Sequence, residues 1–216
     1  MATTEQKRYA AKVTRRLKKE WPDAECSLRF KSPLELLVAT ILSAQCTDKR
    51  VNEVTVDLFK KYRSAADYAD APLDDLKEAI RSTGFFNNKA KNIQACCKAL
   101  VEQHNGEIPD TLEELVKLAG IGRKTANVIL GVAMRIASGV VVDTHVGRIS
   151  RRLGLTAEKN PEKVERELME QFPKKEWIDL SHRMIKLGRE YCIARRPKCD
   201  EGCPMEDICP RIGVES

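Results

Sequence analysis

Three groups of residues in this chain have types and spacings that could do chemistry. The first is Gly120-Ile121-Gly122-Arg123-Lys124, two glycines followed by two cations. The second is Asp143, which follows the short β-branched run Val140-Val141-Val142. The third is a set of four cysteines, Cys192, Cys199, Cys203 and Cys209, crowded near the C-terminal end. An amine can act as a nucleophile, a carboxylate can support developing positive charge, and four thiolates can close on a soft metal or a cluster.

The elements around the first group position it. Thr111 and Glu114 have the spacing of a capping box, in which hydroxyl and carboxylate each satisfy an orphan N–H. They open a helix expected to run to about Leu118. Gly120 and Gly122 then permit a tight turn that larger residues would block. A second helix carries Ala126, Val128, Ile129, Leu130, Val132 and Ala133. A helix, Gly-x-Gly turn and helix points unpaired N–H groups outward with a positive dipole end behind them, which suits a phosphate. Lys124 falls in that first turn, where the dipole and Arg123 disfavour a cation. Its amine is therefore either a nucleophile or, with Arg123, a point-charge contact to phosphate. Asp143 has two readings as well: the N-cap of the next helix, or a charge partner for Lys124.

The cysteine gaps are six, three and five residues. Zinc usually takes closer pairs on rigid knuckles, so an iron–sulfur cluster competes with it on spacing alone. The loop between the first two cysteines, Ile193 to Lys198, carries Arg195, Arg196 and Lys198 and no acid. Pinned at both ends, it could set three cations on a phosphate strand. A purely structural staple is the plainer reading, and the two are compatible.

The rest of the chain reads as about ten short helices, an all-α protein. Aromatics are 5% of the 216 residues, hydrophobic residues 42% and charged residues 32%. Tyr9, Val13 and Leu17 share one face of a helix over 5–20. Ser32-Pro33 starts the next helix, Asp48 or Thr47 the one after, and further helices begin at Ser64, Pro72 and Asn160-Pro161. Gly106 should stop the helix ending at His104. Phe85 and Phe86 interrupt the pattern, either as core plugs, the default, or as exposed wedges. The net charge of +6 suggests a polyanionic partner. No apolar run approaches the roughly 20 residues that span a bilayer, and the start lacks the apolar core of a secretory signal. In such a chain clustered cysteines point to metal before disulfides.

Taken together, these stretches resemble the endonuclease III family, base-excision DNA glycosylases of the helix–hairpin–helix superfamily. The hairpin Gly120-Ile121-Gly122-Arg123-Lys124-Thr125-Ala126-Asn127, the segment Val142-Asp143-Thr144-His145 and the four cysteines occur in that family's order. The likeness extends from Leu42-Ser43-Ala44-Gln45-Cys46-Thr47-Asp48 to Cys209.

The resemblance implies two helical domains flanking a DNA-binding cleft. Residues 26–136 would form a six-helix barrel with the hairpin, and residues 1–25 with 137–216 an iron–sulfur cluster domain. It implies one 4Fe–4S cluster on Cys192, Cys199, Cys203 and Cys209. It implies that Lys124 attacks C1′ of a flipped, damaged nucleotide and that Asp143 assists. Gln45 would fill the gap left by the base, and the Phe85 loop would wedge the opposite strand. Gly120, Gly122 and Arg123 would grip phosphate with Arg195, Arg196 and Lys198, while His145 would line the pocket or serve only as a helix start. The expected reaction is removal of oxidised or ring-saturated pyrimidines from duplex DNA, followed by cleavage 3′ of the abasic site. The expected protein is a cytoplasmic, nucleoid-associated monomer that needs no nucleotide cofactor and no membrane.

Three positions depart from the family pattern. Ala119 stands where Pro is usual, the gap between Cys199 and Cys203 is one residue longer than usual, and Phe85 stands where Leu is common. Gly202 can absorb the extra residue in the cysteine gap. Two other functions compete. A monofunctional mismatch glycosylase would lack Lys124 and would commonly extend well beyond the seven residues that follow Cys209. A non-catalytic DNA-binding module would use the hairpin for phosphate alone.

Overall fold

The structure, a computed structural model, describes residues 1–214. Among these residues the regular elements are all helical. The chain divides into two compact units, Cys26–Ser138 and a second made of Met1–Glu25 with Gly139–Ser216.

The first unit holds α2 (Pro33–Leu42), α3 (Asp48–Lys61), α4 (Ala65–Asp70), α5 (Leu73–Ile80), α6 (Phe86–His104), α7 (Leu112–Leu115) and α8 (Arg123–Val128). Three of these starts share one chemical cause. Ser32, Thr47 and Ser64 accept from the backbone N–H groups of Glu35, Arg50 and Asp67. The α4 cap is reciprocal, since Asp67 also accepts from the Ser64 N–H at 3.0 Å. Helix α6 is the axis of this unit. Its buried face, with Ala90, Ile93, Cys97 and Leu100, packs against α2, α4 and α5.

Four local expectations need correction here. The helix from Thr111 ends at Leu115 rather than Leu118, and turns carry the chain into the hairpin. Its reciprocal cap is also absent: the Glu114 N–H reaches Thr111 at 3.4 Å, but the Glu114 carboxylate accepts from the Thr111 hydroxyl instead of its backbone. Helix α6 ends at His104 as expected, but Asn105 turns left-handed first, at φ +52°, with Gly106 following at φ +81°. The Gly106 N–H then returns to the Leu100 carbonyl at 2.9 Å. Lastly, Phe85 is not a core plug: it is 63% exposed, and only Phe86 packs partly against the core.

The second unit holds α1 (Thr4–Glu20), α9 (Thr144–Arg152), α10 (Pro161–Gln171) and α11 (Trp177–Glu190). Helix α1 turns Val13 and Leu17 onto a core with Val146, Ile149, Leu168 and Met184. Fully burying one such aliphatic side chain favours folding by about 1.5–3 kcal/mol. A buried carboxylate, Glu176, lies between Lys18 Nζ at 2.6 Å and Arg183 Nη1 at 3.6 Å, so its charge is not left alone in the interior. Arg183 also donates to the Trp21 carbonyl, which joins α11 to the end of α1.

Candidate functional site

The hairpin is built from Gly120 onward. Gly120 has φ +77°, and a Cβ there would stand 3.0 Å from Asn92 Cβ on α6. Both the left-handed backbone and the close approach to α6 require glycine. Gly122 is different from its expectation. It is extended (φ −89°, ψ 172°), and a Cβ would meet nothing within 4 Å. Its part is that of an N-cap without a side chain. The Ala126 N–H closes the first helical bond onto the Gly122 carbonyl at 2.9 Å, and Gly122 itself offers no side chain to the N–H groups before it.

Those N–H groups belong to Arg123, Lys124 and Thr125. Lys124 is exposed and Arg123 half-buried, while Ala126, Asn127, Ile129 and Leu130 turn inward. An apolar inner face thus fixes the helix with Lys124 directed at solvent. Beyond Val128 the helix widens into a π turn over Ile129–Ala133. Ser138 closes the segment by donating to Asn127 Oδ1 at 2.8 Å.

Two further expected residues sit on loop tips of this same unit. Gln45 is exposed at φ +52° in the turn after α2, and Phe85 is exposed at φ +49° just before α6. Left-handed backbone is uncommon for side chains of this size and persists only where the surroundings impose it.

In the other unit Asp143 is the N-cap of α9, as the plainer reading had it. Its Oδ1 accepts from the Val146 N–H at 2.7 Å, and the residue is half-buried. The cap uses one oxygen and fixes the carboxylate's direction. His145, half-buried in the first turn of α9, meets Arg148 through Nδ1 at 3.1 Å. Burial first, then the charges of Arg148 and Arg189, hold its pKa below the ordinary 6.5, against the pull of Asp143 and a contact with the Gly188 backbone. A neutral imidazole is therefore the resting form.

Sequence reasoning missed Arg148 and Arg152. Arg148 donates to the Cys192 carbonyl through Nε (3.1 Å) and Nη2 (2.9 Å). Arg152, 9% exposed, donates to the carbonyls of Ile193 (2.7 Å) and Ala194 (3.0 Å) and to Cys192 Sγ (3.4 Å). Both act on backbone groups far away in sequence, and no local pattern announces that. Together they hold the start of the loop on which Arg195, Arg196 and Lys198 stand exposed.

All four cysteines line one pocket, with Ile149, Leu153, Leu187 and Met205 as apolar wall. Three of the sulfurs receive N–H donors: Arg152 on Cys192, the Met205 amide on Cys203, and the Arg211 amide on Cys209 at 3.4 Å. Burial pushes the Cys203 and Cys209 thiols up, and the neighbouring cysteines raise them further, so the four sulfurs lie within electrostatic reach of one another. Sulfurs beside an apolar wall, three of them offered an N–H, suit metal-bound thiolates. Among the described residues no three His, Cys, Asp or Glu side chains converge on a single-ion position. Gly202, between Cys199 and Cys203, lies at φ +81° with open space beside it. Tyr9 of α1 donates to the Ile208 carbonyl at 3.0 Å, and burial with nearby Cys209 pushes its hydroxyl up to about 12. Among the described residues no helix is long and apolar enough to cross a membrane.

Known proteins resemble this arrangement over nearly its whole length. Residues 38–174 match the HhH-GPD superfamily of base excision DNA repair proteins. Endonuclease III of Synechocystis sp. is 50% identical over 94% of this chain and 93% of its own length. The Escherichia coli K12 enzyme of that name is 40% identical over 91% and 92%. A solved structure of a trapped endonuclease III–DNA covalent intermediate superposes with a TM-score of 0.88 at 46% identity, covering 98% of this chain and 97% of that one. A thermostable thymine-DNA glycosylase shares the fold alone, at 19% identity and a TM-score of 0.84. With a hairpin that fixes its lysine outward and relatives of this identity along the whole chain, the protein belongs to the endonuclease III family of the HhH-GPD superfamily.

Proposed function

We propose that this endonuclease III-type DNA repair glycosylase is bifunctional, excising oxidised or ring-saturated pyrimidines from duplex DNA and then cutting the strand as an AP lyase. The observation that carries the reading is Lys124: an exposed amine in the first turn of a helix whose N-cap is a glycine. The covalent protein–DNA intermediate trapped in a relative 46% identical to this chain supports it.

In this reading the damaged nucleotide leaves the stack before chemistry. Gln45 occupies the vacated gap and Phe85 wedges the opposite strand. The Lys124 amine attacks C1′, the C1′–N bond breaks, and the base leaves with the electron pair. The Asp143 carboxylate supports positive charge developing at the sugar and assists Lys124 in losing its proton. The sugar ring then opens at the C1′–O4′ bond, O4′ takes a proton, and the resulting iminium between Lys124 and C1′ acidifies the C2′ hydrogen. Its loss expels the 3′ phosphate by β-elimination, and water then frees the amine. N–H groups of the hairpin, with Arg123, hold backbone phosphate.

The same reading assigns one 4Fe–4S cluster to Cys192, Cys199, Cys203 and Cys209, and the N–H donors on three of these sulfurs fit it. When bound, the cluster supplies a covalent pin for the loop that presents Arg195, Arg196 and Lys198 to phosphate.

The test is a duplex bearing one thymine glycol, scored for free base and for strand cleavage without alkali. Release of base with direct nicking is expected. Base release with nicking only after alkali would replace the reading with a monofunctional glycosylase. Tight binding with neither product would replace it with a non-catalytic binder.

A further inference from the structure

One buried cation takes no part in the chemistry above. Lys89, in the first turns of α6, is 4% exposed. Its Nζ donates to the Leu42 carbonyl at 2.8 Å and to the Thr83 carbonyl at 2.9 Å. Leu42 is the last residue of α2, and Thr83 is the last residue of the 3-10 turn Arg81–Thr83. Carbonyls at helix ends lack helical partners, and a cation suits the negative end of the α2 dipole. A lysine early in α6 faces the opposite dipole, so its own helix does not explain its charge. Burial lowers its pKa, while Cys46 in the turn after α2 acts to raise it.

The two carbonyls are the roots of two loops. Three residues beyond Leu42 stands Gln45, and two residues beyond Thr83 stands Phe85. Both are exposed and left-handed, at φ +52° and +49°. The Lys89 N–H also bonds the Phe85 carbonyl at 3.2 Å. One residue therefore grips three points on two strained tips within a single compact unit.

We propose that Lys89 is a positioning residue that locks the Gln45 and Phe85 tips at a fixed separation, so that both side chains enter the duplex together during base extrusion. The proposal rests on the gap-filling and wedging roles given to those two side chains. Helix opening needs both groups held in register, whereas attack on an abasic sugar in a single strand needs neither.

The experiment measures single-turnover β-elimination by the full chain on one abasic site, in a duplex and in a single strand. Lys89→Met removes both side-chain donors at similar volume, and Lys89→Arg keeps donors for both carbonyls. The readout is the duplex to single-strand rate ratio, from which general damage to packing cancels. Lys89→Met is expected to lower that ratio about ten- to a hundredfold, in line with small misplacements far from the chemistry. Lys89→Arg is expected to restore it. In a Gln45→Ala/Phe85→Ala background, Lys89→Met should lower it no further. An unchanged ratio with Lys89→Met, or full additivity in that background, would overturn the proposal. If Lys89→Met does not fold, Lys89→Gln, shorter by one bond and unable to span both carbonyls, gives the same decision. A Gln45→Ala/Phe85→Ala variant with the wild-type ratio would instead remove the underlying roles, and no elimination by wild type on either substrate would remove the lyase reading.

Discussion

Gly188 on α11 stands where any side chain would strike His145: a Cβ there would come within 2.6 Å of Nδ1, and within 2.9 Å of Ile149 Cδ1. Here α11 packs against α9, the helix that Asp143 caps. Gly188→Ala is expected to cost about 1–3 kcal/mol by overpacking. It should also disturb the Arg148 contact to His145, which lies on the same side. Urea melts give the first effect, and the imidazole resonances of His145 report the second.

Acid should weaken the fold through His145. Its pKa lies below 6.5 in the folded chain, so as pH falls through 6.5 the unfolded chain binds a proton that the native chain refuses. Stability is then lost with falling pH until the folded imidazole also protonates. Removing the Arg148 charge with Arg148→Met should raise the His145 midpoint, with Asp143 and Arg189 still facing it. A proton NMR titration checks the direction of both.

The hairpin glycines are expected to respond unequally. Gly120→Ala forces φ +77° on a residue with a Cβ and pushes it against Asn92, a strain of about 1–3 kcal/mol. Gly122→Ala meets open space at an extended φ and should cost under about 1 kcal/mol as a poorer N-cap. Equal losses in chemical denaturation would contradict the geometry.

This contrast shows what the sequence could and could not disclose. Caps are local, so Ser32, Thr47, Ser64, Asn160 and Asp143 were readable as helix starts, and Val13 and Leu17 as a buried stripe. The Gly-x-Gly spacing showed a turn but not which glycine bears the unusual φ, because that depends on Asn92 of a different helix. Phe85 looked like a core residue because its left-handed backbone, which turns it outward, has no composition signal. Lys89, Arg148 and Arg152 resemble ordinary helical surface cations. Each makes a bond to a carbonyl 42 to 47 residues away, which only tertiary structure brings near. The clustering of the four cysteines was legible; the N–H donors aimed at three of their sulfurs were not.

Arg152→Met should loosen the Cys192–Cys199 loop, since it withdraws donors from Ile193, Ala194 and the Cys192 sulfur. Iron per chain and visible absorbance are expected to fall. Weaker DNA binding with a shallower salt dependence should follow as the three loop cations lose their place. Cys203→Ala should lose iron more completely. Full iron retention in Cys203→Ala would remove that cysteine from the ligand set.

The most direct measurement is borohydride trapping on a thymine glycol duplex, comparing wild type with Lys124→Gln at equal DNA occupancy. A covalent adduct with wild type and none with Lys124→Gln is the expected result, and it would identify the Lys124 amine as the nucleophile. An equal adduct from both proteins would place the nucleophile elsewhere, and none from wild type at full occupancy would contradict the Schiff-base mechanism itself.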